Sequence, residues 1–456
     1  MIGPSLNLSD NTYGRPTVDA PTEDAVYRKI TLRLMPLLFV SYLLAFLDRI
    51  NVGYAQLQMK TDLGFSDAVY GLGAGIFFLS YLLFEVPSNL LLERVGARLT
   101  MLRIMFLWGI TSAATMFVAS PMQFYVVRFL LGLFEAGFFP GIILYLTYWY
   151  PSTRRGAVTG QFMFAIPVAG IIGGPISGWI MSHMGGVGGY AGWQWMFLIE
   201  GLPTAILGVA CFLVLKNRPS EAPWLTESEK AVVHQVLESD TGSVKSGHTS
   251  AFAEFRQAVT DPRVWLLTLI YFATACANYT FTFWLPTIIK GLGVSDLAMV
   301  GWYSAIPYAF AGAGVLLVCK SSDRFKERRW HVGGSLIIAA VGLALTPQLQ
   351  NSLALTLALL CFVGFFQFGA GIAFWAIPPT YLSKGAAAVG IGLVSSIGVV
   401  GGFVSPTLLG FIKTQTGSPS NGIYFISAVM VVGGLAVLLA LPRKAVRVGV
   451  AANTSA

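Results

Sequence analysis

The stretch Gly170-Ile171-Ile172-Gly173-Gly174-Pro175-Ile176-Ser177-Gly178 sets Gly170, Gly174 and Gly178 four residues apart, with Pro175 inside the run. Far along the chain, Gly398, Gly402 and Gly410 repeat that register, with Pro406 in the gap. On a helix, four-residue spacing returns side chains to nearly one face. A face of glycines lets another helix approach closely. One such run is common in any membrane helix. Two, at equivalent places in the two halves of a chain, point to a duplicated helical bundle.

The composition around these runs agrees. Of 456 residues, 55% are apolar and only 11% charged, and the mean hydropathy is +0.69. Soluble chains carry about 25% charged residues, so a cytosolic enzyme is excluded, and disorder would need low hydrophobicity. A membrane helix needs about 20 apolar residues. Segments of that kind lie at 34–57, 68–92, 99–120, 122–149, 157–183 and 194–215, then at 264–289, 297–319, 331–348, 352–379, 385–412 and 422–441. The predicted fold is an all-α integral membrane protein of twelve transmembrane helices in two pseudo-symmetric six-helix halves, 30–215 and 264–442. A polar linker, 216–263, joins them, and flexible tails are expected at 1–29 and 443–456. In the linker, Thr226-Glu227-Ser228-Glu229 is a capping-box pattern that opens a short helix.

The net charge of +8 fits basic membrane loops better than a nucleic-acid partner. Of 29 Lys and Arg, 24 fall on the side of the termini (23 in tails and loops, and Arg103 near that end of the 99–120 segment), three on the other side (Lys60, Lys290, Lys413) and two deep within helices (Arg49, Arg128). By the positive-inside rule both termini are cytoplasmic. Residues 1–27 hold no apolar core, so no cleavable signal is expected. The four cysteines are scattered singly and the four histidines lack ligand spacing, so neither metal nor disulfide is expected. No GxxxxGK[ST] or GxSxG pattern occurs. An enzyme is therefore not expected, nor is ATP-driven transport or any cofactor. The expected driving force is an ion gradient, with the intramembrane carboxylates pointing to protons.

Charges inside a membrane cost about 2.5–3.5 kcal/mol each on insertion scales. All of them fall in the first half: Asp48, Arg49, Glu85, Arg128, Glu135 and Glu200, besides Arg103 near the terminal-side end of its segment. At a 1.5 Å rise per residue, Arg49 lies about 22 Å in from one side and Arg128 about 9 Å from the other. Across a core about 30 Å thick these depths coincide. The two guanidiniums are thus expected to form a carboxylate clamp, since each offers a planar fork. Asp48 and Glu135 can change protonation beside them. Glu85 and Glu200 lie near helix ends and read as structural. The acid-Arg sets Glu93, Arg94 and Arg98, and Asp323 with Arg324, recur after the second and eighth helices. They are expected to latch the halves at the cytoplasmic end. The second half offers Asn278, Tyr279, Trp284, Tyr303, Gln367, Trp375, Ser395 and Ser396 for the rest of a solute.

At these residues the chain resembles the major facilitator superfamily and, within it, the anion:cation symporter family. The resemblance rests on Phe46-Leu47-Asp48-Arg49-Ile50-Asn51-Val52-Gly53, Phe84-Glu85-Val86-Pro87-Ser88-Asn89 and the run from Arg128 through Glu135 to Gly141. Phe283-Trp284-Leu285-Pro286 and Ser322-Asp323-Arg324 with Glu327-Arg328-Arg329-Trp330-His331 extend it to about residues 30–442. The chain looks most like bacterial tartrate, phthalate and hydroxyphenylacetate permeases. The resemblance implies uptake of a small organic anion with protons, and a monomer in the bacterial inner membrane is expected. Arg49 and Arg128 would hold the carboxylate, Tyr81 would line the cavity, and Asp48 and Glu135 would couple protons; from the residues themselves, Tyr279, Trp375 and Ser395 are the expected second-half contacts. Family members often carry Asn where this chain has Ser395 and Val399, which leans the reading toward a less polar or aromatic acid. Two other readings stay open: an efflux antiporter, because Gly170–Pro175 resembles exporter motifs, and a membrane sensor of solutes.

Overall fold

The computed structural model describes residues 22–241, 251–349, 351–382 and 387–442. Among them are twelve helical spans apolar enough to cross a membrane, and no strand. The first half contributes Glu23–Leu63, Asp67–Val95, Ala97–Phe117, Pro121–Thr147, Ser152–His183 and Gly192–Val214. The second contributes Pro262–Gly291, Leu297–Phe325, Trp330–Leu349, Leu353–Phe374, Val389–Thr416 and Ser420–Ala440. An even number of crossings puts residues 22 and 442 at the same end of the bundle, called the terminal end below.

The first span is longer than its apolar core implies. It begins at Glu23, so the expected tail 1–29 is helical in its last part. At 1.5 Å per residue its 41 residues run about 60 Å, roughly twice a bilayer core. Tertiary contacts hold the polar extension: Val26, Tyr27 and Ile30 are buried, and Arg154 reaches Glu23 at 3.0 Å. Residues 1–21 and the expected tail 443–456 lie outside the described residues. The linker helix Glu227–Thr241 starts where expected. Thr226 N–H donates to Glu229 at 2.8 Å, and Glu229 N–H donates to Thr226 Oγ1 at 3.3 Å. Lys29 anchors the helix through Glu229 at 2.8 Å and holds that carboxyl below the usual carboxylate range.

The fourth span is broken. Pro121–Glu135 and Phe138–Thr147 are separate helices, with Gly137 at φ +85° between them. Only glycine adopts that conformation cheaply, and a Cβ there would stand 2.6 Å from Ser88 Oγ. The break falls directly after Glu135 and re-aims the helix below it.

Five of the six run glycines form the seam between the halves, and Gly398 lies on Tyr271 of its own half. Gly170 lies on Tyr308, Gly174 on the Gly301 carbonyl and Gly178 on Leu297, which joins the fifth span to the eighth. Gly402 lies on Phe78 and Gly410 on the Asp67 carbonyl, which joins the eleventh span to the second. Backbone meets backbone at Gly174 and Gly301, so a larger side chain must push the halves apart there. Gly301→Leu is expected to slow disulfide cross-linking of a Ser182→Cys, Asp296→Cys pair, whose native side chains bond across this seam at 3.1 Å. About tenfold slowing matches the cost of moderate overpacking. Cross-linking at the parental rate would show that the seam tolerates bulk.

Candidate functional site

A cavity lies between the halves in the part of the bundle nearer the terminal end. Its first-half wall includes Tyr42, Phe46, Arg49, Phe77, Phe78, Tyr81 and Glu85, and its second-half wall includes Tyr271, Asn278, Tyr279, Gln367, Trp375 and Ser395. Beyond it, the bundle is closed by bonds across the halves. Gln56 and Tyr70 both donate to the Phe283 carbonyl, at 2.8 and 3.3 Å. Lys413 reaches Asp67 at 3.2 Å, and Lys290 donates to the Leu57 carbonyl at 2.9 Å.

Arg49 is the cation of the cavity wall. Its Nε donates to Glu135 at 2.8 Å, its Nη2 bonds the same carboxylate oxygen, and Nη1 lies 3.5 Å from Tyr279 Oη in the other half. Its guanidinium sits 5.6 and 5.5 Å from the Phe77 and Tyr81 ring centroids, within cation–π range. Removing one partner of such a buried pair leaves an uncompensated charge, at about 3–5 kcal/mol. The pair is therefore stable only while both groups stay charged or an anion replaces Glu135.

The expected two-arginine clamp takes a different form. Arg128 is 1% exposed and is not part of the cavity wall. It lies 5.1 Å from the Phe77 centroid, its Nε donates to the Gly73 carbonyl at 3.3 Å, and its Nη2 has no hydrogen-bond partner. Phe77 is thus a shared neighbour of both guanidiniums. Rise per residue gave the depth of each Cα, but the long Arg49 side chain runs to Glu135, whereas Arg128, two turns before Glu135 on the same helix face, packs against Gly73 and Phe77 of the second span.

Asp48 also points away from the cavity. It accepts from Asn51, Ser112 and Thr204 at 3.2, 2.8 and 3.4 Å, inside the first half. Glu200 is buried nearby with one bond, from Ser177 at 2.6 Å, and its Oε2 is unpartnered. Glu85, read from the sequence as structural, lines the cavity and accepts from Ser396 of the other half at 2.8 Å. Its place was legible: Glu85 follows Tyr81 by one turn on the same face.

In the second half, Tyr279, Trp375 and Ser395 line the cavity as expected, whereas Trp284 and Tyr303 do not. Trp284 packs edge-on to Tyr70 at the closed end. Tyr271, stacked on Phe374 and edge-on to Trp375, is a cavity residue that the sequence did not single out. Asn278 Oδ1 and both amide atoms of Gln367 lack partners at the cavity. Buried polar atoms are normally paired, so these are free to bond a solute.

The expected terminal-end latch residues do not meet across the halves. Glu93 and Arg94 are exposed and unpaired among the described residues. Arg98 ties to the Phe212 carbonyl of its own half at 3.0 and 2.9 Å. Asp323 pairs with Arg328 at 2.9 Å in its own loop, and Arg324 is exposed. The latch pattern thus serves local contacts in a state closed at the opposite end.

Two pseudo-symmetric helical halves around a cavity sealed at one end define a membrane transporter. Residues 38–406 match the Major Facilitator Superfamily, and the chain belongs to that family. It is 45% identical over 441 residues to the putative metabolite transport protein NicT of Pseudomonas putida, covering 97% of this chain and 100% of that one. It is 46% identical to a putative tartrate transporter of Agrobacterium vitis, covering 94% and 97%. It is 40% identical to a quinolone resistance transporter of Acinetobacter baumannii, covering 90% and 94%. A solved bacterial homologue of the human lysosomal transporter Spinster, inward-facing and occupied, shares the fold at a TM-score of 0.70 and 18% identity, covering 91% of this chain and 97% of that one.

Proposed function

We propose that the protein is a proton-coupled symporter that carries a small organic anion into the cell by alternating access. The observation that carries this reading is the Arg49–Glu135 pair beside the cavity. A carboxylate and Glu135 compete for one guanidinium. Protonation of Glu135 frees Arg49, so the anion binds best when a proton binds too. Arg128, buried with a free Nη2, is the second cation, reached by the carboxylate when the halves rock. Asp48, held by neutral donors next to Arg49, is a second proton carrier in this scheme.

The 24-to-3 bias of basic residues supports a cytoplasmic terminal end in the bacterial inner membrane. The state described here is then inward-facing. The cavity lies within one chain, which suits a working monomer. Its free room is about 120 Å³, and an apolar cavity of about 150 Å³ holds benzene. That size, with walls of Tyr271, Tyr279 and Trp375, suits a short hydroxy acid or a single-ring aromatic acid. The name of the tartrate-type relative supports the first and the aromatic lining the second.

The test is uptake by proteoliposomes with an imposed inward proton gradient, using labelled tartrate and benzoate. Accumulation of either acid is the expected result. Export against that gradient favours the second reading, an efflux antiporter, which the quinolone resistance relative supports. Ser395→Asn adds an amide to the wall. It is expected to shift the tartrate-to-benzoate affinity ratio upward by about fivefold, the worth of one modest hydrogen bond. An unchanged ratio in competition assays would remove Ser395 from the selectivity set.

A further inference from the structure

The end of the bundle opposite the termini carries only three basic residues in the sequence's own topology: Lys60, Lys290 and Lys413. They stand on the first, seventh and eleventh spans, and all three line one cleft of about 310 Å³ above the closed seam. Asp67 is their one carboxylate contact among the described residues. It pairs with Lys60 and, at 3.2 Å, with Lys413 of the other half. Lys290 Nζ finds the Leu57 carbonyl at 2.9 Å. Three cations against one carboxylate leave the cleft positive, and gathering like charges is unfavourable without an anion to share.

Freely solvated surface lysines do not account for this arrangement. The Lys60 and Lys413 side chains are only 23% and 19% exposed. The same cleft is walled by Gln56, 2% exposed, whose Oε1 has no partner, and by Thr287, whose Oγ1 has none either. A threonine hydroxyl can donate to a carboxylate, and an amide oxygen can accept from a hydroxyl or a carboxylic acid. The cleft therefore offers charge, a donor, an acceptor and room within the range of small-ligand pockets.

We propose that this cleft is a docking vestibule for small organic carboxylates on the outer face, in which the arriving anion displaces Asp67 from Lys60 and Lys413. Displacement removes the direct ion pair that ties the second span to the eleventh and leaves the anion itself as the bridge between Lys60 of one half and Lys290 and Lys413 of the other. The inference rests on the organic-anion reading and on the orientation proposed above.

The test uses Thr61→Cys at the exposed rim of the cleft in the full-length protein, labelled with an anionic, membrane-impermeant thiol reagent. Labelling of the parent protein is subtracted. Tartrate or benzoate is expected to slow labelling. The half-protecting concentration should rise about fivefold for each Lys→Gln change, the factor one unit charge supplies near 4 Å in water. Lys→Arg should restore it. Lys290→Gln leaves the Asp67 pairs intact and guards against misfolding of the other variants. Protection should survive Arg49→Gln, which disables the central cavity. Protection that ignores the lysines, vanishes with Arg49→Gln, or is matched by chloride at equal ionic strength would overturn the vestibule, as would no protection by either acid. Lysine-dependent protection without gradient-driven uptake would keep the vestibule and overturn the symport reading.

Discussion

Arg49→Lys is expected to lower carboxylate transport by about 10- to 100-fold, the range given by losing one charge-assisted hydrogen bond. The charge is kept; the fork is not. Nε and Nη2 of Arg49 address Glu135 together, while Nη1 faces Tyr279 across the cavity. A lysine ammonium is a point charge and cannot serve both directions with one planar group. Its exchange for Arg49 should leave the protein monodisperse on size exclusion, because the ion pair with Glu135 persists. The loss should appear in both uptake and counterflow, since both need anion binding. Parental affinity for tartrate and benzoate in the variant would remove Arg49 from the site.

Glu135→Gln should separate the two transport modes. Glutamine can still accept from Arg49 but cannot take up a proton, so Arg49 stays free for the anion at every pH. Counterflow exchange of labelled acid is expected to continue. Accumulation driven by a proton gradient, about tenfold per pH unit for one coupled proton, should fall to equilibration, and the pH dependence of binding should flatten. If exchange and accumulation fall together, Glu135 is only a structural partner of Arg49.

The fold was legible because its determinants are periodic. Twelve apolar stretches and the doubled glycine register are properties of sequence spacing, and the Thr226–Glu229 cap is local. The site was legible by residue type, since Arg49, Glu135, Tyr81 and Tyr279 stand out as polar or charged groups in apolar runs. Azimuth and reach were not. Asp48 and Arg49 are adjacent, yet a helix turns about 100° per residue, which sends one into the first half and the other to the cavity. Arg128 could not be distinguished from Arg49 by depth. The break after Glu135 was signalled by Gly137 and Pro140, but neither shows which way the helix bends. The meeting of Lys60, Lys290 and Lys413 depends on how two halves dock, and no local pattern encodes that.

The seam at Gly174 and Gly301 is made of main chain, so it reads no side-chain chemistry. The stroke and the cargo are therefore set by separate inheritances. Changes at Ser395, Gln367 or Trp375 can retool the binding chamber while the bearing surfaces stay the same. One mechanical chassis can in this way be refitted for new acids by a handful of substitutions, without relearning how to move.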